Sequence, residues 1–186
     1  VIPEFYDYGV TNNGSQWTKV WTGPAGSNSL VWRKTTVDML GRTVKEEKPG
    51  YGEGVVLTTE NTYNARGQLV KTTQTGFPAT LASYDSAGNQ VSSGFDVDSD
   101  NILDTNGMDR ISDTLQYYEK DSTGGWWNVS VSRPYATDNS ATPLTNSVSK
   151  TRLTGLGGTP SVASETISID VFGNATTNRT FIDRDT

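Results

Sequence analysis

One stretch of the chain decides the fold: Tyr84-Asp85-Ser86-Ala87-Gly88-Asn89-Gln90-Val91-Ser92. It opens with an aromatic residue that can end a strand by packing inward. The Asp that follows can accept backbone N–H groups of a turn. Gly88 can adopt positive φ without Cβ strain, and the alternating residues after it are typical of a second strand. The stretch therefore predicts a tight β-hairpin.

The same pattern occurs three more times. Each copy has an apolar residue, Asp or Asn, two variable residues, Gly, a polar residue and a return to strand pattern. The copies are Val37-Asp38-Met39-Leu40-Gly41-Arg42-Thr43-Val44-Lys45, Tyr63-Asn64-Ala65-Arg66-Gly67-Gln68-Leu69-Val70-Lys71 and Ile169-Asp170-Val171-Phe172-Gly173-Asn174-Ala175-Thr176-Thr177. The predicted structural turn residues are Asp38, Gly41, Asn64, Gly67, Asp85, Gly88, Asp170 and Gly173. Self-similarity of this kind indicates a repeat protein.

Elsewhere the sequence alternates between apolar and polar residues in short runs, at 30–37, 127–133, 147–153 and 164–169. Such alternation places one set of side chains on a core and the other in water. No window has the apolar spacing of an amphipathic helix. We therefore predict an all-β fold of consecutive antiparallel hairpins, with an inserted β-hairpin region and essentially no helix.

The composition limits the classes of function. The 186 residues contain 19 Gly, are 33% hydrophobic and 10% aromatic, and carry a formal net charge of −6. Aromatic residues are not depleted, so a folded β protein is favoured over a disordered one. The acidic balance without Lys or Arg runs argues against nucleic-acid binding. No apolar run approaches the ~18 residues of a membrane span, so no membrane insertion is predicted.

Enzymatic chemistry is disfavoured because the chain has no His and no Cys. The usual general base, thiolate nucleophiles and thiolate zinc sites are therefore excluded. The glutamates stand in no recognisable glycosidase arrangement. We predict that the protein is not an enzyme.

The repeated motif resembles the YD repeat, Tyr-Asp-x-x-Gly-Arg/Asn, of bacterial Rhs proteins, wall-associated proteins, Tc-toxin C components and teneurins. The resemblance covers residues 30–95 and 164–182, and 84–89 match it best. It implies a bacterial secreted or cell-surface protein whose β-sheet builds a shell, stalk or filament. It also implies that the partners are further repeats of the same protein or other copies of the chain, with a surface glycan as an alternative ligand.

The repeat pattern predicts four regions of the chain. Residues 1–29 form a β segment that matches no repeat, and 30–95 hold YD-type repeats. Residues 96–163 hold an acidic loop and inserted hairpins, and 164–186 hold a further repeat. Both ends read as mid-chain sequence, so we expect the repeats to continue in a longer protein.

The acidic loop carries the sharpest local motif. Asp96, Asp98, Asp100 and Asp104 stand at positions 1, 3, 5 and 9 of a calcium-type loop, with the Ile102 carbonyl at position 7. The loop departs from an EF-hand because Asn101 replaces the central Gly and Gly107 replaces the closing Glu. Asn106 or Asp109 is available to complete the ligands. Calcium is therefore a candidate cofactor, and the alternative is a solvated acidic loop.

The tryptophans offer a second candidate site. Trp126 and Trp127 follow Gly124-Gly125 and are candidates for stacking on a sugar ring. Adjacent residues of a strand face opposite sides, so at most one of them lies on the inner face. Packing in the core is the favoured alternative for this pair and for Trp17, Trp21 and Trp32. The leading functional hypothesis is thus structural, and the alternative is an extracellular carbohydrate-binding module.

Overall fold

A computed structural model describes residues 1–153 and 162–181. Within these residues it contains β-strands and one short 3-10 helix, Gly26–Asn28. The strands are β1 Glu4–Val10, β2 Gln16–Thr22, β3 Trp32–Val37, β4 Thr43–Pro49, β5 Val56–Tyr63, β6 Leu69–Gln74, β7 Phe77–Tyr84, β8 Gln90–Asp96, β9 Arg110–Lys120, β10 Trp126–Pro134, β11 Ser147–Arg152, β12 Val162–Ile169 and β13 Ala175–Phe181.

The strands form one 13-stranded antiparallel sheet whose strand order is the chain order. The predicted all-β fold of consecutive antiparallel hairpins, essentially without helix, is confirmed for the described residues. The interpretation of 96–163 as an insertion stays a prediction. Parts of two predicted regions, 154–161 and 182–186, lie outside the described residues. Among the residues that are described, no helix has the length and apolar character to cross a membrane.

The backbone contacts divide the chain into two compact units. The N-terminal unit comprises Val1–Ala82 and Ser99–Ile102. The C-terminal unit comprises Ser83–Asp98 and the described residues from Leu103 onward. Each unit is built from neighbouring hairpins, since consecutive strands pair along the chain.

The core of the C-terminal unit lies on one face of β10. Trp127, Val129 and Val131 are buried, and Val148 and Ile167 pack against them from β11 and β12. Residues 126, 128 and 130 of the same strand are exposed or half-buried. This alternation is what the sequence pattern of β10 predicts, because successive side chains of a strand point to opposite faces.

In the N-terminal unit, aromatic side chains line up across the first three strands. Phe5, Trp21 and Trp32 are direct cross-strand partners. The Lys19 ammonium lies 4.7 Å from the Trp21 ring centroid and 4.2 Å from that of Trp32. These indoles are thus engaged by a cation of their own sheet, and Trp21 is only 9% exposed.

Candidate functional site

The predicted turns have one hydrogen-bond pattern. The Asp85 amide donates to the Asn89 carbonyl at 2.9 Å, and the Gly88 amide donates to the Asp85 carbonyl at 3.2 Å. Asp85 Oδ1 accepts the Asn89 amide at 2.9 Å. Both backbone bonds recur in the turns that begin at Asp38, Asn64 and Asp170. The glycines Gly41, Gly67, Gly88 and Gly173 have φ of 78°, 82°, 96° and 83°. We call this five-residue unit the Asx-Gly turn.

The side chain of the first residue of the Asx-Gly turn also binds the side chain of the residue that follows the glycine. Asn174 Nδ2 donates to Asp170 Oδ2 at 2.8 Å, while the amides of Phe172 and Asn174 donate to Oδ1 at 2.9 Å. These donors hold the pKa of Asp170 below its usual 3.8, with the Asn174 side chain as the largest cause. The pKa is lowered in the same way for Asp85 by Asn89 and for Asp38 by Arg42.

Two further turns have this shape, although the sequence pattern did not identify them as copies of the motif. In one, the Asp121 amide donates to the Gly125 carbonyl at 2.8 Å and Gly124 has φ of 88°. In the other, Thr11 takes the place of Asp, and its amide donates to the Ser15 carbonyl at 2.8 Å. Asp121 is preceded by Lys120 rather than an apolar residue, which hid its match. Both turns match a broader pattern, in which a residue with a side-chain oxygen is followed by two variable residues and Gly.

The Asp121 turn is tied to the core of its unit. Asp121 Oδ2 accepts the Trp127 indole N–H at 2.9 Å, and Oδ1 accepts the amides of Thr123 and Gly125 at 2.8 Å. The indole and the Thr123 hydroxyl are the two largest causes that depress the Asp121 pKa. A buried tryptophan therefore fixes the turn, and the turn satisfies the only polar atom of that side chain.

Successive repeats of the N-terminal unit are connected by side chains. The Arg42 guanidinium stacks on the Tyr63 ring at 4.5 Å from its centroid. The Tyr63 hydroxyl donates to the Thr43 carbonyl at 3.0 Å. A Cβ added to Gly67 would lie 3.3 Å from an Arg42 nitrogen. The residue after one turn glycine thus packs on the aromatic residue and the glycine of the next turn.

The acidic loop between β8 and β9 gathers three carboxylates. Asp96, Asp98 and Asp109 each place an oxygen so that all three lie within 4.8 Å of one another. Asp96 is 1% exposed and Asp109 is 7% exposed. Asp109 accepts the Val97 amide at 2.8 Å and the Asp104 amide at 3.2 Å. Carboxylate oxygens in such a group are suitable ligands for a hard cation such as calcium.

The remaining predicted calcium residues have other contacts. Asp100 Oδ1 accepts the Ile102 amide at 2.7 Å. Asp104 Oδ1 accepts the Asn106 amide at 3.1 Å. Asp109, which follows the predicted set by five residues, is the acid that joins Asp96 and Asp98. Calcium binding by this loop stays a prediction.

The two adjacent tryptophans of β10 differ in exposure. Trp127 is 6% exposed within the core, so it offers no platform for a sugar. Trp126 is 50% exposed, and the Lys120 ammonium lies 6.0 Å from its ring centroid. Of the predicted glycan residues, Trp126 alone presents a ring to solvent.

Other carboxylates are bound to arginines. Glu165 is 4% exposed and accepts from Arg179 at 2.7 Å and from Arg152 at 3.2 Å. Arg179 is the main cause that lowers the Glu165 pKa. Asp113 accepts from Arg133 at 2.8 Å. These ion pairs connect side chains of neighbouring strands.

No protein-family model matches this chain, and a search of curated proteins gives no match.

Proposed function

We propose that the chain is a structural, non-catalytic segment of a larger secreted or cell-surface protein of the YD-repeat type. The recurrence of one Asx-Gly turn along a sheet in chain order is the observation that carries the proposal. A hairpin that repeats with its own neighbour contacts is a building unit, since each unit buries its apolar face against the next.

The link between Arg42 and Tyr63 supports this role. It joins two turns through residues of the repeated motif itself, the residue after one turn glycine and the residue before the next turn Asn. Contacts of this type stabilise a repeat array without requiring a ligand. The absence of His and Cys from the sequence is in keeping with a role that needs no catalysis.

The outer strands suggest how such a segment extends. In the described part of the chain, β1 and β13 each pair with a single strand. Tyr6 and Tyr8 of β1 are 61% and 78% exposed, and residues 175–180 of β13 are exposed. An open strand edge presents N–H and C=O groups that pair with another strand. The proposed partners are further repeats or other copies of this chain.

Hydrogen exchange of the whole chain at low and high protein concentration tests the proposal. We expect amides of β1 and β13 to exchange fast in dilute solution and more slowly as copies associate. The amides of β10, which has neighbours on both sides, serve as an internal control and should not depend on concentration. A chain that stays monomeric when concentrated, with both outer strands already protected, would overturn the proposal.

A further inference from the structure

One face of the C-terminal unit carries two adjacent rows of uncharged polar side chains across five strands. Directly paired residues share a face of a sheet, so the strand register defines this face. One cross-strand row is Tyr118, Asn128, Thr151, Thr166 and Asn178. The next row is Gln116, Ser130, Ser149, Ser168 and Thr176. We call these two rows the hydroxyl face, and each member is exposed or half-buried.

Most charges of the same strands lie on the opposite face, while Lys120 and Arg110 of β9 lie on the same face as the two rows but outside them. On the opposite face the charges form ion pairs beside Trp127 and Val129, on the side that holds the buried core. The pairs are Lys150–Glu119, Arg133–Asp113, Arg179–Glu165 and Arg152–Glu165. An antiparallel sheet normally turns its charges to the solvated face and its apolar residues to the core. Hydration alone therefore does not account for two adjacent uncharged rows on the solvent face of a chain with a net charge of −6.

Exposed rings border the hydroxyl face at one end. Trp126 pairs with Lys120, and the next pair on the same face is Asn128 with Tyr118. Trp126 is 50% exposed and Tyr118 is 66% exposed. As diagonal cross-strand neighbours they stand roughly 7 Å apart. Two rings thus lie beside a field of hydroxyl and amide groups.

We propose that the hydroxyl face, with Trp126 and Tyr118, binds a neutral polysaccharide. A neutral sugar polymer has hydroxyl groups that both donate and accept, as Ser, Thr, Asn and Gln side chains do. Its ring faces carry C–H groups that pack on aromatic rings. The lack of charge in both rows avoids the cost of desolvating ions on contact. This site is separate from the structural role proposed above and does not depend on it.

Affinity electrophoresis of the whole chain tests this site, with gels that contain a soluble β-glucan, a mannan, a xyloglucan or the acidic polymer polygalacturonate. We expect at least one neutral polymer to retard the protein and polygalacturonate not to. Trp126→Ala should weaken the retarding interaction about tenfold, which equals ~1.4 kcal/mol. Ser149→Glu, a surface change in the centre of the hydroxyl face, should weaken it as well.

Two variants off the hydroxyl face control for general effects. Tyr8→Ala removes an exposed ring from β1, and Thr80→Glu adds a charge to an exposed position of β7. Both should be retarded like the original chain. The proposal is overturned if none of the three neutral polymers retards the protein, or if Ser149→Glu binds as well as Thr80→Glu. It is also overturned if Ser149→Glu dissociates an oligomer in sedimentation, since the face would then be an interface between copies.

Discussion

The Arg42 guanidinium carbon lies 4.5 Å from the centroid of the Tyr63 ring, so the end of one repeat motif rests on the start of the next. Both residues stand at defined motif positions, Arg42 directly after a turn glycine and Tyr63 directly before a turn Asn. The contact connects the position after the glycine of one copy with the position before the Asx of the next copy.

A double-mutant cycle measures this contact. We expect Arg42→Gln and Tyr63→Leu to couple by about 0.5–1 kcal/mol in the free energy of unfolding, because each variant removes the same cation–π contact. Urea unfolding provides the measurement. Arg33→Gln, an exposed change on β3, is the control partner for Tyr63→Leu and should show additive effects. Additivity of the Arg42 and Tyr63 changes would mean that the stacking contributes nothing to stability.

Gly41 isolates the backbone requirement of the turn. Its φ is 78°, and an added Cβ would meet nothing within 4 Å. Gly41→Ala should therefore destabilise the protein by about 1 kcal/mol through backbone strain alone. Gly41→Asn is the matched variant, because Asn tolerates the left-handed region better. Thermal unfolding that ranks Ala at or above Asn would show that positive φ is not what the position demands.

Acid should weaken the Asx-Gly turns in a predictable direction. The pKa of Asp38, Asp85, Asp121 and Asp170 is lowered in the folded protein from the usual 3.8. A carboxyl with a lowered folded pKa stabilises the fold above its unfolded pKa, and that contribution is lost as the pH falls through the folded value. Stability should thus drop as the pH is lowered from 3.8 downward.

Asp121→Asn tests the assignment, because Asn keeps a side-chain acceptor but does not titrate. Urea unfolding at several pH values should give a smaller acid-induced loss for this variant than for the original chain. Glu53→Gln, at an exposed position between β4 and β5, is the control and should retain the full loss. Equal acid dependence for Asp121→Asn and the original chain would exclude Asp121 as a titrating contributor.

Calcium binding by the acidic loop is tested by titration. A calcium ion bound by Asp96, Asp98 and Asp109 would offset their mutual repulsion in the folded chain. At a free calcium concentration 100 times the Kd, such binding should stabilise the folded chain by about 2.7 kcal/mol. Asp98→Asn should reduce the calorimetric heat and the rise in unfolding temperature. Asp7→Asn, at an exposed position of β1, should leave both unchanged. If calcium does not raise the unfolding temperature of the original chain, the loop is a solvated acidic loop.

Local sequence patterns predict most of the fold. Asp-x-x-Gly predicts a turn because its determinants are a side-chain acceptor and a residue that accepts positive φ, both readable within five positions. The Thr11 turn was missed because Thr serves in place of Asp. Alternation showed that Trp126 and Trp127 face opposite sides, but which one is buried depends on pairing with β9 and β11. The sequence left Asn106 and Asp109 as alternatives for completing the acidic loop, because the path of that loop decides which of them lies beside Asp96.

The end of the sheet at which a repeat turn lies depends on the number of strands between it and the preceding repeat turn. In the C-terminal unit, the turns at 85–89 and 121–125 join an odd strand to an even one, whereas the turn at 170–174 joins β12 to β13. Because direction alternates from strand to strand, the last turn lies at the opposite end of the strands from the other two. One additional strand between two repeats therefore places their turns at opposite ends of the strands. Insertion or loss of a single strand would move the repeat motif from one rim of such a sheet to the other without altering a residue within it.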